Sequence, residues 1–227
     1  MSPPLVKICG VARAADADDA VAAGADYLGM IFFERSPRYV SQKLAADIHK
    51  AVAGRVPCVA VTVDVDDEAL DRIAPFADII QCHGRETPAR LAELAKRGFE
   101  RIWKALSVRT GDEVIQAQAY GGLVERILFD TKAPEGASRP GGHGVAFDWT
   151  LLGDWRTKPG WGLAGGLTPD NVDEAVRFTR APLVDAASGV ERQPGIKDPV
   201  LLHRFIAAAK QAHIPKFAGA EEAQATE

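Results

Sequence analysis

LVKICGVARAADADDAVAAGADYLGMIFF, residues 5–33, decides how the whole chain is read. It opens on a β-branched run, VKICG, passes through an Ala- and Asp-rich segment with helical spacing, and returns to an apolar run, DYLGMIFF. A strand, a helix and a second strand in that order make a parallel crossover unit. The same alternation continues through CVAVTVDV, DIIQCHG, RIWKAL, RILFDT, GWGLAGG and LVDAASG, with helical segments between most of them. Eight strand-like runs in one chain of 227 residues predict a (β/α)8 barrel of the TIM type, in a single domain over residues 1–215. The acidic, apolar-poor end of the chain, residues 216–227, reads as a frayed tail.

Punctuation agrees with this reading. Ser41, Thr87 and Thr168 fall where helix N-caps belong, with Pro88 and Pro169 at the first helical position. Gly24, Gly54 and Gly98 read as left-handed helix ends. The stretch TKAPEGASRPGGHG after the sixth strand is too long and too rich in Gly and Pro for a simple turn, and reads as a functional loop.

Composition narrows the function classes. An apolar share of 47% and a charged share of 26% suit a packed soluble domain. The net charge of −4 and the absence of a basic run argue against nucleic-acid partners. No apolar stretch reaches the roughly eighteen residues that a membrane span needs. Cys9, Cys58 and Cys82 show no paired spacing, which points to a reduced, cytoplasmic protein without disulfides. The sequence leaves the choice of monomer or homodimer open.

Barrels of this kind do their chemistry at the C-terminal ends of the strands, so polar residues there carry the information. Lys7 and Cys9 lie two apart on one face of strand one, as do Gln81 and His83 on strand four, with Cys82 on the other face. Strand six offers Asp130, and the loop after strand two carries Arg35 and Arg38. Each has a plain alternative. A strand cysteine is ordinarily a small core residue, an aspartate closing a strand is often a turn former, His83 before Gly84 fits a turn, and Arg38 fits a solvated loop. Together they gather a thiol, a carboxylate, an imidazole and a guanidinium around one rim. Gly165 and Gly166 after strand seven, with Ser188 and Gly189 after strand eight, fit either tight turns or a phosphate cradle, and a short extra helix has room to begin there.

KICG, SPRYVS, QCHG, LFDT, GGHGVAFDW, LAGGLTPDNV and VDAASGVERQPGIKD, in this order, closely resemble the motifs of the phosphoribosylanthranilate isomerase family over about residues 5–210. The chain departs from that family's usual pattern at Cys82 (commonly Leu), at His143 (commonly a small polar residue) and at Ala187, where a serine is usual. The resemblance implies an Amadori rearrangement in tryptophan biosynthesis, turning N-(5-phosphoribosyl)anthranilate, an aminoaldose, into an aminoketose. It makes Cys9 the general base and Asp130 the general acid, with Arg38 on the anthranilate carboxylate. It sets Lys7, His83 and Asp185 on the substrate, and the phosphate on Gly165, Gly166, Ser188 and Gly189. The partner so implied is a small phosphosugar, and neither a metal nor a redox cofactor is needed. On this reading Lys7 and His83 help Cys9 to ionise, and burial raises the Asp130 pKa. The histidine-pathway isomerase barrel typically uses two aspartates, at strands one and five. Cys9, and the lack of an aspartate near Lys104-Ala105-Leu106, argue against it.

Overall fold

The computed structural model describes residues 2–131, 149–155 and 160–212. The loop residues 132–148, His143 among them, and the tail from 213 onward lie outside the described residues, as does the expectation placed on each. Eight parallel strands close on themselves in sequence order: β1 (Leu5–Ile8), β2 (Tyr27–Phe32), β3 (Cys58–Thr62), β4 (Ile79–Cys82), β5 (Ile102–Val108), β6 (Arg126–Thr131), β7 (Trp161–Ala164) and β8 (Leu183–Ala186). Between them run helices α1 (Ala14–Ala22), α2 (Gln42–Val52), α3 (Asp67–Ile73), α4 (Pro88–Lys96), α5 (Gly111–Gln116) and α6 (Val172–Thr179), and α7 (Pro199–Gln211) follows β8. A short 3-10 segment, Trp149–Trp155, precedes β7.

Strand alternation divides the apolar residues into two clusters. Val59, Val61, Ile79, Trp103, Ala105, Leu128 and Leu183 fill the barrel interior together with Cys9. The residues between them in sequence, such as Ile8, Leu28, Met30, Ile80, Phe129 and Val184, pack outward with the helices. Each aliphatic side chain buried this way stabilises the fold by about 1.5–3 kcal/mol. Glycine makes room inside at two places. A Cβ on Gly162 would meet Leu183 and Leu128 at 2.7 and 2.8 Å, and one on Gly29 would meet Cys9 Sγ at 2.9 Å.

The expected punctuation mostly holds. Ser41 accepts from the Leu44 amide, and Thr87 from Arg90 with Pro88 behind it. Gly24, Gly54 and Gly98 all have positive φ. Two stretches differ. The third strand stops at Thr62, because Asp64 turns into the left-handed region (φ 49°) and its amide donates to Glu86. Helix α6 starts at Val172 with Asn171 at its N-cap, not at Thr168–Pro169. Thr168 instead closes the preceding turn: its amide donates to Asn171 Oδ1, and its hydroxyl accepts from the Asp170 amide. In place of an extra helix after β8 come a three-residue 3-10 turn, Ser188–Val190, and an antiparallel hairpin of β9 (Glu191–Gln193) and β10 (Ile196–Lys197).

Candidate active site

The C-terminal ends of β1 and β8 form the best-defined part of the site. Lys7 and Asp185 are register partners, and buried Lys7 Nζ donates to Asp185 Oδ2 at 2.8 Å. Asp185 Oδ1 is buried without a hydrogen-bond partner among the described residues, as is Gln81 Oε1 on β4. Buried acceptors left unpaired are rare and call for a reason.

Cys9 follows directly on β1, beside this pair. Burial pushes its thiol pKa up; Lys7 and, more weakly, Lys197 pull it back, while Asp185 adds to the rise. The net direction is upward, against the sequence-based expectation of a thiol eased into ionisation by Lys7 and His83. Lys7 is where that expectation needs it, and desolvation outweighs it. Burial also works against the Lys7 ammonium, yet Asp185 and then Cys9 hold its pKa above the ordinary value.

His83 belongs to the other side of the mouth. Its amide donates to the Thr62 carbonyl, and its Nε2 lies 3.3 Å from Asp130 Oδ2. Asp130 sits on β6 in register with Ser107 and Ala164. Its side chain keeps 21% of its exposure, so the expected burial of this carboxyl is not found in the described residues. The turn that carries His83 is tightly held. Lys104, on the outward face of β5, is buried and donates to the carbonyls of Cys82 (3.3 Å) and Gly84 (2.7 Å) and to Glu86 Oε2 (2.9 Å). Glu86 in turn accepts from the amides of Asp64 and Gly84. Cys58 and Cys82 pack among the outward-facing residues, as the sequence suggested.

Arg38 does not stand free at the mouth. Its Nε and one Nη2 proton reach both oxygens of Glu191, at 2.8 and 2.6 Å, in a fork. Its Cδ lies 2.5 Å from where a Cβ on Gly10 would be, which sets it against the chain just beyond Cys9. Glu191 also accepts from Lys197 Nζ at 3.0 Å. Burial alone would raise the Glu191 pKa, but the bonds from Arg38 and Lys197 reverse this and hold it below the usual carboxylate value.

Gly165 and Gly166 turn away from β7 with φ of 89° and 63°, a conformation that favours glycine. Gly189 is fixed by contact rather than by φ: a Cβ there would lie 1.9 Å from the Leu167 carbonyl oxygen. The loops after β7 and β8 therefore touch backbone to backbone, and the four residues named for a phosphate lie on these two loops. Among the described residues no cluster of His, Cys, Asp or Glu is arranged to hold a metal ion, and no helix is long and apolar enough to cross a membrane.

Glu191, Lys197, Lys104 and Glu86 were not picked out from the sequence. Each reads there as a solvated charge, because the carbonyls and charged groups that hold it meet it only in the folded chain.

Comparison with known proteins bears on the whole arrangement. A family model described as N-(5'phosphoribosyl)anthranilate (PRA) isomerase matches residues 6–208. The N-(5'-phosphoribosyl)anthranilate isomerase of Rhodopseudomonas palustris (strain BisA53) is 50% identical over 207 residues, covering 90% of this chain and 95% of its own. The crystal structure of phosphoribosyl anthranilate isomerase from Thermotoga maritima matches with a TM-score of 0.82 at 36% identity, over 91% of this chain and 98% of that one. A crystal structure of phosphoribosyl anthranilate isomerase in complex with reduced 1-(O-carboxyphenylamino)-1-deoxyribulose 5-phosphate matches with a TM-score of 0.79 at 33% identity, over 91% and 98% of the two chains.

Proposed function

The chain belongs to the N-(5'-phosphoribosyl)anthranilate isomerase family and carries out that family's rearrangement in tryptophan biosynthesis, and from this premise we propose how its own residues do the work. Asp130 is the general acid and Cys9 the general base. The proton of Asp130 goes to the furanose ring oxygen, the C1–O bond breaks, and the nitrogen lone pair forms a Schiff base. Cys9, as thiolate, then removes the proton on C2; the C–H electrons shift toward nitrogen and give an enolamine, which tautomerises to the aminoketose. Acid and base on opposite sides of one sugar suffice, with no metal or redox step.

The observation that carries this reading is the separation of the three thiols. Cys9 alone packs in the barrel interior, next to Lys7, while Cys58 and Cys82 face the helices. Burial raises the thiol pKa, and Lys7 and Lys197 are the cations that pull it back and stabilise the thiolate once it forms. His83, 3.3 Å from Asp130, steadies the carboxyl that must deliver its proton. Arg38 spends two of its five N–H groups on Glu191, and the remainder serve the anthranilate carboxylate. The unpaired Asp185 Oδ1 suits a sugar hydroxyl. Gly165, Gly166, Ser188 and Gly189 supply backbone donors to the phosphate, in keeping with a related enzyme crystallised with a reduced product analogue that carries a 5-phosphate.

The same reading makes residues 1–215 one catalytic domain of a cytoplasmic enzyme. Loss of anthranilate-type fluorescence on adding the aminoaldose tests it, with Cys9→Ser and Asp130→Asn alongside. Full turnover by both variants would sink the role assignment.

A further inference from the structure

We propose that Lys197 is a positioning residue that sets the catalytic thiol and the anion-binding arginine from a single buried ammonium, with Glu191 as the link between them. The proposal rests on the reading of Cys9 as base and Arg38 as carboxylate ligand. Lys197 lies on β10, beyond the eight strands of the barrel, and is 2% exposed. Its Nζ has three protons and three acceptors: the Cys9 carbonyl at 2.6 Å, the Ala187 carbonyl at 3.0 Å and Glu191 Oε1 at 3.0 Å. An ammonium so saturated cannot turn without breaking a charge-assisted bond.

What those three bonds hold is informative. The first fixes the main chain of Cys9, and with it the direction of the thiol. The second fixes the chain just ahead of Ser188–Gly189. The third orients Glu191, whose two oxygens grip Arg38 in the planar fork that a guanidinium matches best. The hairpin carrying Lys197 is itself tied down, because its amide donates to the buried Asp16 on α1 at 3.2 Å.

The charges facing the Cys9 thiol are Lys7 on β1, Asp185 on β8, Lys197 on β10 and Arg38 on the loop after β2. Removing Lys197 takes away a cation and so raises the thiol pKa. Burial lowers the Lys197 pKa and Glu191 is the first of the groups that hold it up, so Glu191 keeps this ammonium charged as well as aimed. A merely structural strut gives no reason for the thiol to respond to the charge at position 197.

The test measures alkylation of Cys9 by iodoacetamide across pH, with the site identified by peptide mass spectrometry, in the wild type, Lys197→Gln and Lys197→Arg. The expected result is a midpoint about one pH unit higher in Lys197→Gln and close to the wild-type value in Lys197→Arg, which keeps the cation. In steady state, Lys197→Gln should lose about tenfold in kcat at pH 7, while Glu191→Gln should mainly raise KM, by roughly tenfold, as Arg38 loses its fork. A midpoint that does not rise in Lys197→Gln, or that rises equally in Lys197→Arg, overturns the proposal. If Lys197→Gln does not fold, the KM effect of Glu191→Gln decides alone, and its absence overturns the proposal. Alkylation reports on Cys9 whatever its chemical role. A raised midpoint in Lys197→Gln beside a fully active Cys9→Ser would therefore refute the base assignment while leaving Lys197's hold on the thiol established.

Discussion

Gly189→Ala replaces one hydrogen by a methyl group at the point where the loops after β7 and β8 meet. The new Cβ would stand 1.9 Å from the Leu167 carbonyl oxygen, 2.9 Å from its carbonyl carbon and 3.2 Å from Thr168 Cα. A carbon and a carbonyl oxygen rest at about 3.3 Å, so the loops must part by roughly 1.4 Å. All three neighbours are backbone, and no rotamer change relieves them. Forced overpacking of this kind costs about 1–3 kcal/mol, or roughly 3–10 °C in Tm for a chain of this size. Displacements near 1 Å at a binding site can cost a factor of ~10², so kcat/KM should fall tenfold to a hundredfold, mostly through KM. The control is Gly98→Ala, beyond the C-terminal end of α4, where the strain comes from a φ of 98° and nothing lies within 4 Å of the new Cβ. It should lose about 1–2 kcal/mol of stability without any change in KM. Thermal melts, initial rates and competition by inorganic phosphate measure all of this. Wild-type Tm and phosphate competition in Gly189→Ala would refute both the bracing of the loops and their role in holding the anion.

Cys9→Ser should fold normally and lose ~10²–10⁴ in kcat, read by the fluorescence assay; more than about a tenth of wild-type kcat would remove Cys9 from the mechanism. Asp130→Asn should cost a similar factor with little change in KM, and the alkaline limb of the pH profile of kcat/KM should disappear with it. Iodoacetamide near pH 8.5 should label Cys9 before Cys58 and Cys82, since it is 8% exposed against 1% and 2% and has cations beside it; equal labelling of all three would contradict this. Burial, aided by Asp78 and Glu86, pushes Cys58 and Cys82 up to about 11 and about 12 from an ordinary value of 9.0. The unfolded chain gives up these protons first, so stability falls as pH rises through 9 to 11. The slope of Tm against pH in that window should be shallower in Cys58→Ala/Cys82→Ala.

The sequence carried the barrel because each strand needs only its own alternation. Lys7 and Cys9 share a face for that reason, as do Gln81 and His83. The glycines at helix ends were legible too, since a left-handed φ is a local demand. Pairings between distant charges were not. His83 was expected to serve the thiol and stands instead by Asp130, because side-chain parity says nothing about which neighbour across a barrel mouth comes nearest. Arg38 is legible as a guanidinium on the rim, but its fork on Glu191, 153 residues along the chain, is not. Lys104 and Lys197 gave no signal at all. A lysine in sequence is normally a surface group, and only the assembled backbone reveals the carbonyls and carboxylate that let each be buried.

The seam between β1 and β8 also has a history in time. Lys7 waits for Asp185 over 178 residues of chain, and the Cys9 carbonyl waits for Lys197 over 188. At synthesis rates of about 5–20 residues per second, the thiol is made roughly ten to forty seconds before its ammonium partner exists. During that interval it is an ordinary cysteine, open to oxidants and to stray pairing with Cys58 or Cys82. Joining ends so far apart is a slow, non-local step, and the thiol takes on its native surroundings only when that step is done. Recovery of selective Cys9 labelling during refolding is therefore a clock for barrel closure, and a chain halted before Ile196 would leave the thiol without the Lys197 ammonium.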